Sequence, residues 1–514
     1  MSLAKVTITR SPVVVPKWSI SSGLLCPPIG PAYLAASLRQ QGHDVTIVDP
    51  VGEGPDEVNP ITGRDLVTYG WSLHKIVAAF PPDTKYIGLS CMFSHEWPVS
   101  KQLARLLRER FPRAVIIAGG EHMTAAPEHS LRDAPEIDYA VLGEGEETMS
   151  ELIRALESAS AEPALVRGIV YLRDGKLRRT EHRERLRSID QIPWPAWDLV
   201  PMENYLANGL SYGVGPDRSM PIMATRGCPF ECTFCSNPNM WQPRWYARTP
   251  HDVASEIETY AKQYRAANFD FYDLTAIIRK DWIVAFCNEL LRRDLKITWQ
   301  LPAGTRSEAI DREVSALLAK SGHRNLVYAP ESGSDRVLKI IKKKVKLDRM
   351  IQSMRDAIRE GISIKLNMIF GFPQDTVGDI FRTYGFLAKV AWLGVDDVTI
   401  ATFCPYPGSE MFNDLQRSGR IKELNDDYYY HLAAMGDVKF ADSFAEKISG
   451  RALLYYKLFG IFLFYSLSYL RRPQRFFQTV RNLIQHNHAT RIEKALDAFL
   501  AKWRTSSRVP ASGS

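Results

Sequence analysis

Arg226-Gly227-Cys228-Pro229-Phe230-Glu231-Cys232-Thr233-Phe234-Cys235 holds three of the seven cysteines in the chain. Thiolates separated by three and then two residues can grip three irons of a cubane [4Fe–4S] cluster and leave the fourth iron without a protein ligand. Such an iron is a place for chemistry. It can chelate the amino and carboxylate groups of S-adenosylmethionine and pass an electron to the sulfonium, releasing a 5′-deoxyadenosyl radical. Two other uses of the thiols stay open: zinc completed by His251, and a redox pair of Cys232 with Cys235. The spacing favours the cluster, because no second Cys or His pair follows and a redox pair leaves Cys228 without a role.

Downstream of this run, strand, loop and helix alternate about six times. Strands are expected at 222–225, 269–272, 297–300, 326–328, 364–369 and 398–401, with helices at 250–264, 281–293 and 347–360. The pattern predicts a partial (β/α)6 barrel over 216–412. Its chemistry would sit on the loops after the strands, and the cysteine run follows the first of them.

Upstream, residues 1–160 also alternate, with strands at 6–8, 45–48, 86–90, 114–118 and 139–142 and helices at 32–41 and 98–110. This predicts an α/β domain with a doubly wound, Rossmann-like parallel sheet. Glycine turns follow two of its strands: Ala118-Gly119-Gly120-Glu121-His122 and Leu142-Gly143-Glu144-Gly145-Glu146. Ligands of open α/β sheets sit beyond the carboxyl ends of the strands, where glycine lets the backbone approach closely. Residues 161–215 read as a hairpin around Asp174-Gly175 and a linker with Pro193, Trp194, Pro195 and Trp197. Those aromatic residues would pin the linker or line a cofactor cleft.

Pro27-Pro28-Ile29-Gly30-Pro31-Ala32-Tyr33-Leu34 and the two glycine turns, in that order ahead of the cysteines, resemble the cobalamin-binding domain of cobalamin-dependent radical S-adenosylmethionine proteins. Behind the cysteines, Trp299-Gln300 with Arg306, Pro330-Glu331-Ser332-Gly333-Ser334, Asn367-Met368-Ile369-Phe370-Gly371-Phe372-Pro373 and Phe403-Cys404-Pro405-Tyr406-Pro407-Gly408-Ser409 resemble the catalytic core of the same class. The likeness covers about residues 25–412. It is greatest to the branch containing the anaerobic magnesium-protoporphyrin monomethyl ester cyclase.

The resemblance implies cobalamin contacts from Gly119, Gly120, Glu121, His122, Gly143, Glu144 and Gly145. The Asp-x-His-x-x-Gly motif is missing, so cobalt is expected to lack a protein histidine; His122 would be a polar residue at the cofactor rim. For S-adenosylmethionine it implies Phe234 beside the adenine, Asp273 toward the methionyl ammonium, Arg306 toward a carboxylate, Glu331 and Ser332 at the ribose or methionyl part, and the backbone of Phe370 and Gly371 at the adenine. Plainer roles compete: a helix cap for Asp273, core packing for Phe234, a structural ion pair for Arg306. Cys404, past the sixth strand, would face the cavity as a redox or hydrogen-donating thiol, or be a small buried hydrophobe.

At 514 residues, 45% hydrophobic and 24% charged, the chain has room for about three globular domains. An odd number of scattered cysteines argues against a disulfide framework, and Met1-Ser2-Leu3-Ala4-Lys5 does not open a signal peptide, so a cytoplasmic setting is expected. A helical, basic region is expected over 413–514. Residues 447–514 hold 12 Lys and Arg against 2 Asp and Glu, an excess of ten where the whole chain has seven. Uncharged residues 458–470 within it are too few to cross a bilayer alone. They suit peripheral contact with the inner face of a membrane, shielding of a greasy substrate, or a helix capping the barrel. Bulky apolar residues interleave the basic ones and no nucleic-acid module is evident, so nucleic acid is not an expected partner.

The resemblance implies C-methylation of an unactivated carbon in a lipophilic small molecule of lipid, isoprenoid or tetrapyrrole type, with electrons from a flavodoxin or ferredoxin. The alternative is an oxidative cyclase or rearrangement enzyme. A non-catalytic cofactor-binding subunit is a third reading, against which the intact cysteine triplet argues.

Overall fold

The computed structural model describes residues 4–17, 25–158, 162–215, 218–306, 308–436 and 442–485, together with 490, 493, 496 and 497. Met1, Ser2 and Leu3, part of the stretch read for a signal peptide, lie outside the described residues, as do Arg491, Lys494, Lys502, Arg504 and Arg508 of the basic tail.

Two sheets organise the chain. In the first, Asp44–Val48, Lys5–Arg10, Tyr86–Ser90, Val115–Gly119 and Tyr139–Val141 run parallel in that spatial order. The chain reverses direction of winding between Lys5–Arg10 and Tyr86–Ser90, which opens a crevice at their carboxyl ends. The hairpin read into the linker is part of this sheet: Ile169–Arg173 pairs antiparallel with Tyr139–Val141, and Lys176–Arg179 forms the edge. A small antiparallel sheet of Val13–Pro16, Leu66–Tyr69 and Val58–Pro60, not expected from the sequence, covers the same end.

The second sheet is wholly parallel and follows chain order: Ser219–Ile222, Asn268–Phe271, Thr298–Thr305, His323–Glu331, Ser363–Phe370 and Asp397–Thr402. This is the expected six-stranded partial barrel, with one correction at its start. The first strand ends at Ile222, and Thr225–Gly227 leaves the sheet to pair with Trp245–Ala247 in a separate ribbon. That ribbon closes the base of the cysteine loop.

One apolar core runs through both units. Val6 and Ile8 of the first sheet, Trp197 and Tyr205 of the linker, and Phe269 and Trp299 of the barrel belong to the same buried cluster. The linker aromatics therefore pin the linker, with Trp197 wholly buried and Trp194 Nε1 donating to Asp252 at 3.1 Å. Past the barrel the chain is helical: Glu410–Arg417, Asp426–Leu432, Gly450–Arg471 and Pro473–Ile484. Asp426–Leu432 folds back on the first domain, where Lys101 meets Asp426 at 2.6 Å and Tyr429 joins the core. Gly450–Arg471 packs along the barrel helix Val377–Leu393 and the strand Asp397–Thr402.

Candidate active site

The cysteine loop is held from below. Asp273, just past the second barrel strand, accepts hydrogen bonds from the amide N–H groups of Ala224 (3.2 Å) and Thr225 and from the Thr225 hydroxyl. The Asp273 carboxylate, expected at the methionyl ammonium, is thus occupied in anchoring the chain that enters the loop. Burial outweighs these bonds and raises its carboxyl to about 6. At Gly227 (φ +88°) a Cβ would lie 2.2 Å from the Arg244 carbonyl, so only glycine lets the ribbon close. Within the loop Cys235 N donates to Cys232 O at 3.0 Å, while Thr233 bonds the backbone of Ile341 and Met411.

Groups from the other strand ends surround it. Arg306 stacks over Phe230 with its guanidinium 3.7 Å from the ring centroid, pairs with Glu308 at 2.7 Å and reaches the Lys344 carbonyl. It is a clamp on the loop. Glu331 ends its strand at φ +69°, a left-handed conformation that costs a non-glycine residue energy. Its carboxylate meets Lys343 at 2.8 Å, and Lys343 also lies over Phe234. Ser332 accepts from the Ser334 N–H at 3.1 Å, and Gly333 N–H donates to Thr383 Oγ1 at 3.1 Å, so this turn is built onto the helix Val377–Leu393. The N–H groups of Gly371 and Phe372 both donate to Asp375, at 2.9 and 3.1 Å, and the Phe370 and Phe372 carbonyls accept from the N–H groups of Phe403 (2.8 Å) and Asp375 (2.9 Å), so this turn, expected at the adenine, is tied into its own neighbours. Phe234, half-buried, packs on Phe372, which packs on Phe403 (centroids 5.6 and 5.3 Å), forming an aromatic wall behind the loop.

Sequence reasoning missed Lys343. It sits in Lys342-Lys343-Lys344, which reads as a solvated charge run, yet its side chain is buried against Glu331. Burial raises the thiols of Cys228, Cys232 and Cys235, the last to about 12, and the Lys343 charge acts against that rise at Cys228 and Cys232. Soft sulfur donors beside a fixed cation, on a loop shaped by its neighbours, fit an iron–sulfur cluster. The zinc reading lacks its fourth ligand. His251 is exposed on the helix Pro250–Gln263, and among the described residues no three or more Cys, His, Asp or Glu side chains are grouped to hold a single ion. A cubane needs no such grouping, because each thiolate takes a different corner.

The first domain meets the loop through ions. Arg226, two residues before Cys228, donates to Glu146 at 2.6 Å and Glu144 at 3.2 Å. Arg185 meets Glu144 at 3.3 Å and donates to the carbonyls of Trp241 and Arg244, the far side of the loop. All four side chains are buried. Burial works to raise the Glu146 carboxyl, but Arg226 outweighs it and holds it below the usual range. Glu144, expected at cobalamin, is therefore committed to two arginines. Arg226 had no signal in the sequence beyond its adjacency to the cysteines, and Arg185, in the segment before the barrel, had none.

His122 also needs correction. It is fully buried, with Nδ1 3.0 Å from Ser94 Oγ and Nε2 3.0 Å from Ser130 Oγ, between the rings of Trp97 and Tyr429. It is a core residue and not a rim contact. Gly120 (φ +110°) is required by the fold, since a Cβ there would lie 2.6 Å from Cys91 O. At Gly119, Gly143 and Gly145 a Cβ would meet nothing closer than 3.5 Å. Glu121 faces Ser236, one residue past Cys235; its Oε1 is buried without a hydrogen-bond partner among the described residues, and burial raises the carboxyl. An unpartnered acid oxygen and open glycine turns at the domain junction fit a polar cofactor edge entering there. Cys404 lines a small pocket with Thr402, Tyr428, His431, Asp442 and Phe444, against the first domain's core. Burial pushes its thiol up to about 12, so it carries its proton at ordinary pH.

A three-cysteine loop after the first strand of a parallel six-stranded barrel, clamped to a doubly wound domain, defines a radical S-adenosylmethionine enzyme with a cofactor domain in front. The model for the B12 binding domain matches residues 19–153 and that for the radical SAM superfamily matches 222–387. The chain is 30% identical over 390 residues to an uncharacterized methyltransferase of Pyrococcus horikoshii, covering 76% of this chain and 78% of that one. It is 28% identical to an anaerobic magnesium-protoporphyrin IX monomethyl ester cyclase of Rubrivivax gelatinosus, over 76% of this chain and 66% of the cyclase. Its fold matches the radical S-adenosylmethionine methyltransferase TsrM from Kitasatospora setae, solved with cobalamin and a [4Fe–4S] cluster bound. That match has a TM-score of 0.63 and 16% identity, covering 82% of this chain and 80% of TsrM. The chain belongs to the cobalamin-dependent radical S-adenosylmethionine family, whose cofactors are a [4Fe–4S] cluster, S-adenosylmethionine and cobalamin.

Proposed function

We propose that this enzyme methylates an unactivated carbon of a lipophilic small molecule. The observation that carries the reading is the buried Arg226–Glu146 contact, which makes the cysteine loop and the glycine turns of the first domain one built unit. Bound in that unit, the cluster and S-adenosylmethionine supply a hydrogen-abstracting radical, and cobalamin supplies a methyl group. Cys228, Cys232 and Cys235 would hold the cluster. Cobalamin would lie against the turns at Gly119 and Gly143. The chain's own contribution is positional: Arg306 and Lys343 fix the loop, and the Phe234, Phe372 and Phe403 wall keeps water from its back. Protonated Cys404 holds a hydrogen at the junction of the two domains. The methyltransferase relative supports the same reading.

A second reading, an oxidative cyclase of the porphyrin type, is supported by the likeness to the Rubrivivax cyclase. Protein reconstituted without oxygen, given cobalamin, reductant and extracts of lipids and pigments, separates the two. Methylation predicts 5′-deoxyadenosine and S-adenosylhomocysteine forming together with a product one methyl group heavier. Sustained 5′-deoxyadenosine formation with a new product but no S-adenosylhomocysteine overturns it in favour of the cyclase. Cys235→Ala is expected to lose both nucleoside products and the cluster's paramagnetic signal.

A further inference from the structure

The helix Gly450–Arg471 is apolar on nearly every side, where a helix capping the barrel needs only one apolar face. Its protein-facing stripe is Leu453, Lys457, Gly460, Phe464 and Ser468, all buried. Gly460 sits where a Cβ would come within 2.8 Å of Ile400, so the helix lies tight on the barrel. Polar tips fasten it: Tyr384 OH donates to the Tyr456 carbonyl at 2.7 Å, and Tyr465 OH donates to Asp397. The stripe turned to solvent carries Tyr455 (71% exposed), Phe459, Phe462 (67%) and Leu470 (71%). A helix that buries a lysine and a serine while exposing phenylalanines has an apolar face meant for something outside the chain.

That face does not end with the helix. Phe459 contacts Tyr384, which contacts the exposed Phe381; Tyr469 contacts Phe476, which contacts Phe477 (70% exposed). Three helices thus share one aromatic surface. The two tail helices bring charge of a single sign to it. The helices Gly450–Arg471 and Pro473–Ile484 contain no Asp or Glu, and Arg451, Arg471 and Arg481 stand exposed along them, Arg471 over the exposed Trp392.

We propose that this surface docks the enzyme onto an anionic lipid bilayer, with the phenylalanines in the acyl boundary and the arginines at the phosphates. Aromatic and aliphatic residues framed by arginine without acid are the composition such a face requires. Gly450–Arg471 is long and apolar enough to cross a membrane by length and composition. One whole stripe is bound to the barrel, however, so the helix lies along the surface. Its Leu453 packs on Gly371, which puts the docked face one helix away from the S-adenosylmethionine end of the barrel.

The test is co-sedimentation of the full chain with vesicles of phosphatidylcholine alone, or of phosphatidylcholine and phosphatidylglycerol in equal parts. Binding to the anionic vesicles is expected, weakened by salt. Phe462→Ser with Phe477→Ser should lower partitioning about tenfold with the melting temperature unchanged, since both side chains are in solvent. Arg451→Glu with Arg481→Glu should remove the preference for anionic vesicles, and it decides the matter if the phenylalanine variant does not fold. Failure of the full chain to bind anionic vesicles overturns the proposal. So does a concentration-dependent dimer in light scattering that the phenylalanine changes dissolve, because a second copy would then be the occupant.

Discussion

A neutral imidazole sealed between two hydroxyls makes the first domain sensitive to acid. Burial lowers the His122 pKa from 6.5 to about 3 in the folded protein, with nearby His129 acting in the same direction and Asp133 opposing it. On acidification the unfolded chain takes up the proton first. Between about pH 6.5 and 3 the unfolded state therefore binds more protons than the folded one, so stability is full above that window and falls as pH drops into it, by up to about 1.4 kcal/mol per unit. In His122→Gln, which keeps a polar group between Ser94 and Ser130, the decline in melting temperature from about pH 7 to about pH 5 should be shallower than in the parent. Parallel decline in the two proteins would show that His122 does not carry this dependence. The same sealing explains why the residue is no cofactor contact: both ring nitrogens already have partners.

Strand ends and the tail helix meet at Gly371. Its φ of +90° favours glycine, and a Cβ there would come within 2.6 Å of Leu453 Cδ2. Gly371→Ala should destabilise by roughly 1–3 kcal/mol in chemical denaturation, from backbone strain plus the contact. Repeating it in a Leu453→Ala background should relieve only the contact part. An identical cost in both backgrounds would mean the helix does not press on the turn. Such cross-element contacts mark the limit of what the sequence disclosed. The parallel strands were legible because each is a short apolar run ending in a turn, and the cysteine loop because its ligands are local. The first barrel strand was misplaced because Thr225–Gly227 obeys Trp245–Ala247 and Asp273, partners far along the chain. The small sheet of Val13–Pro16, Leu66–Tyr69 and Val58–Pro60 was missed for the same reason. Lys343 was illegible because its burial depends on Glu331, on a different element. The greasy run at 458–470 was visible, but which stripe faced out was not.

Across the whole molecule, the question is what keeps a cofactor domain in register with a radical-generating loop. Shared apolar packing joins the two units but is indifferent to small slips. The cluster of Arg226, Arg185, Glu144 and Glu146 is not, because hydrogen bonds between charged groups are directional and all four side chains are out of water. Removing one member leaves a buried charge unanswered. Arg226→Met should therefore cost about 3–5 kcal/mol, and adding Glu146→Gln should recover part of it, since the stranded charge goes with it. The loss should change little between low and high salt, because the pair is shielded from mobile ions. Loop position can be read separately from stability, through the paramagnetic spectrum of the reduced cluster with S-adenosylmethionine added. Perturbation of that spectrum in Arg226→Met, reversed in Arg226→Lys by the restored charge at Glu146, identifies a positioning role. A spectrum unchanged in Arg226→Met, with only the melting temperature lowered, would reduce the cluster of ions to mortar between domains.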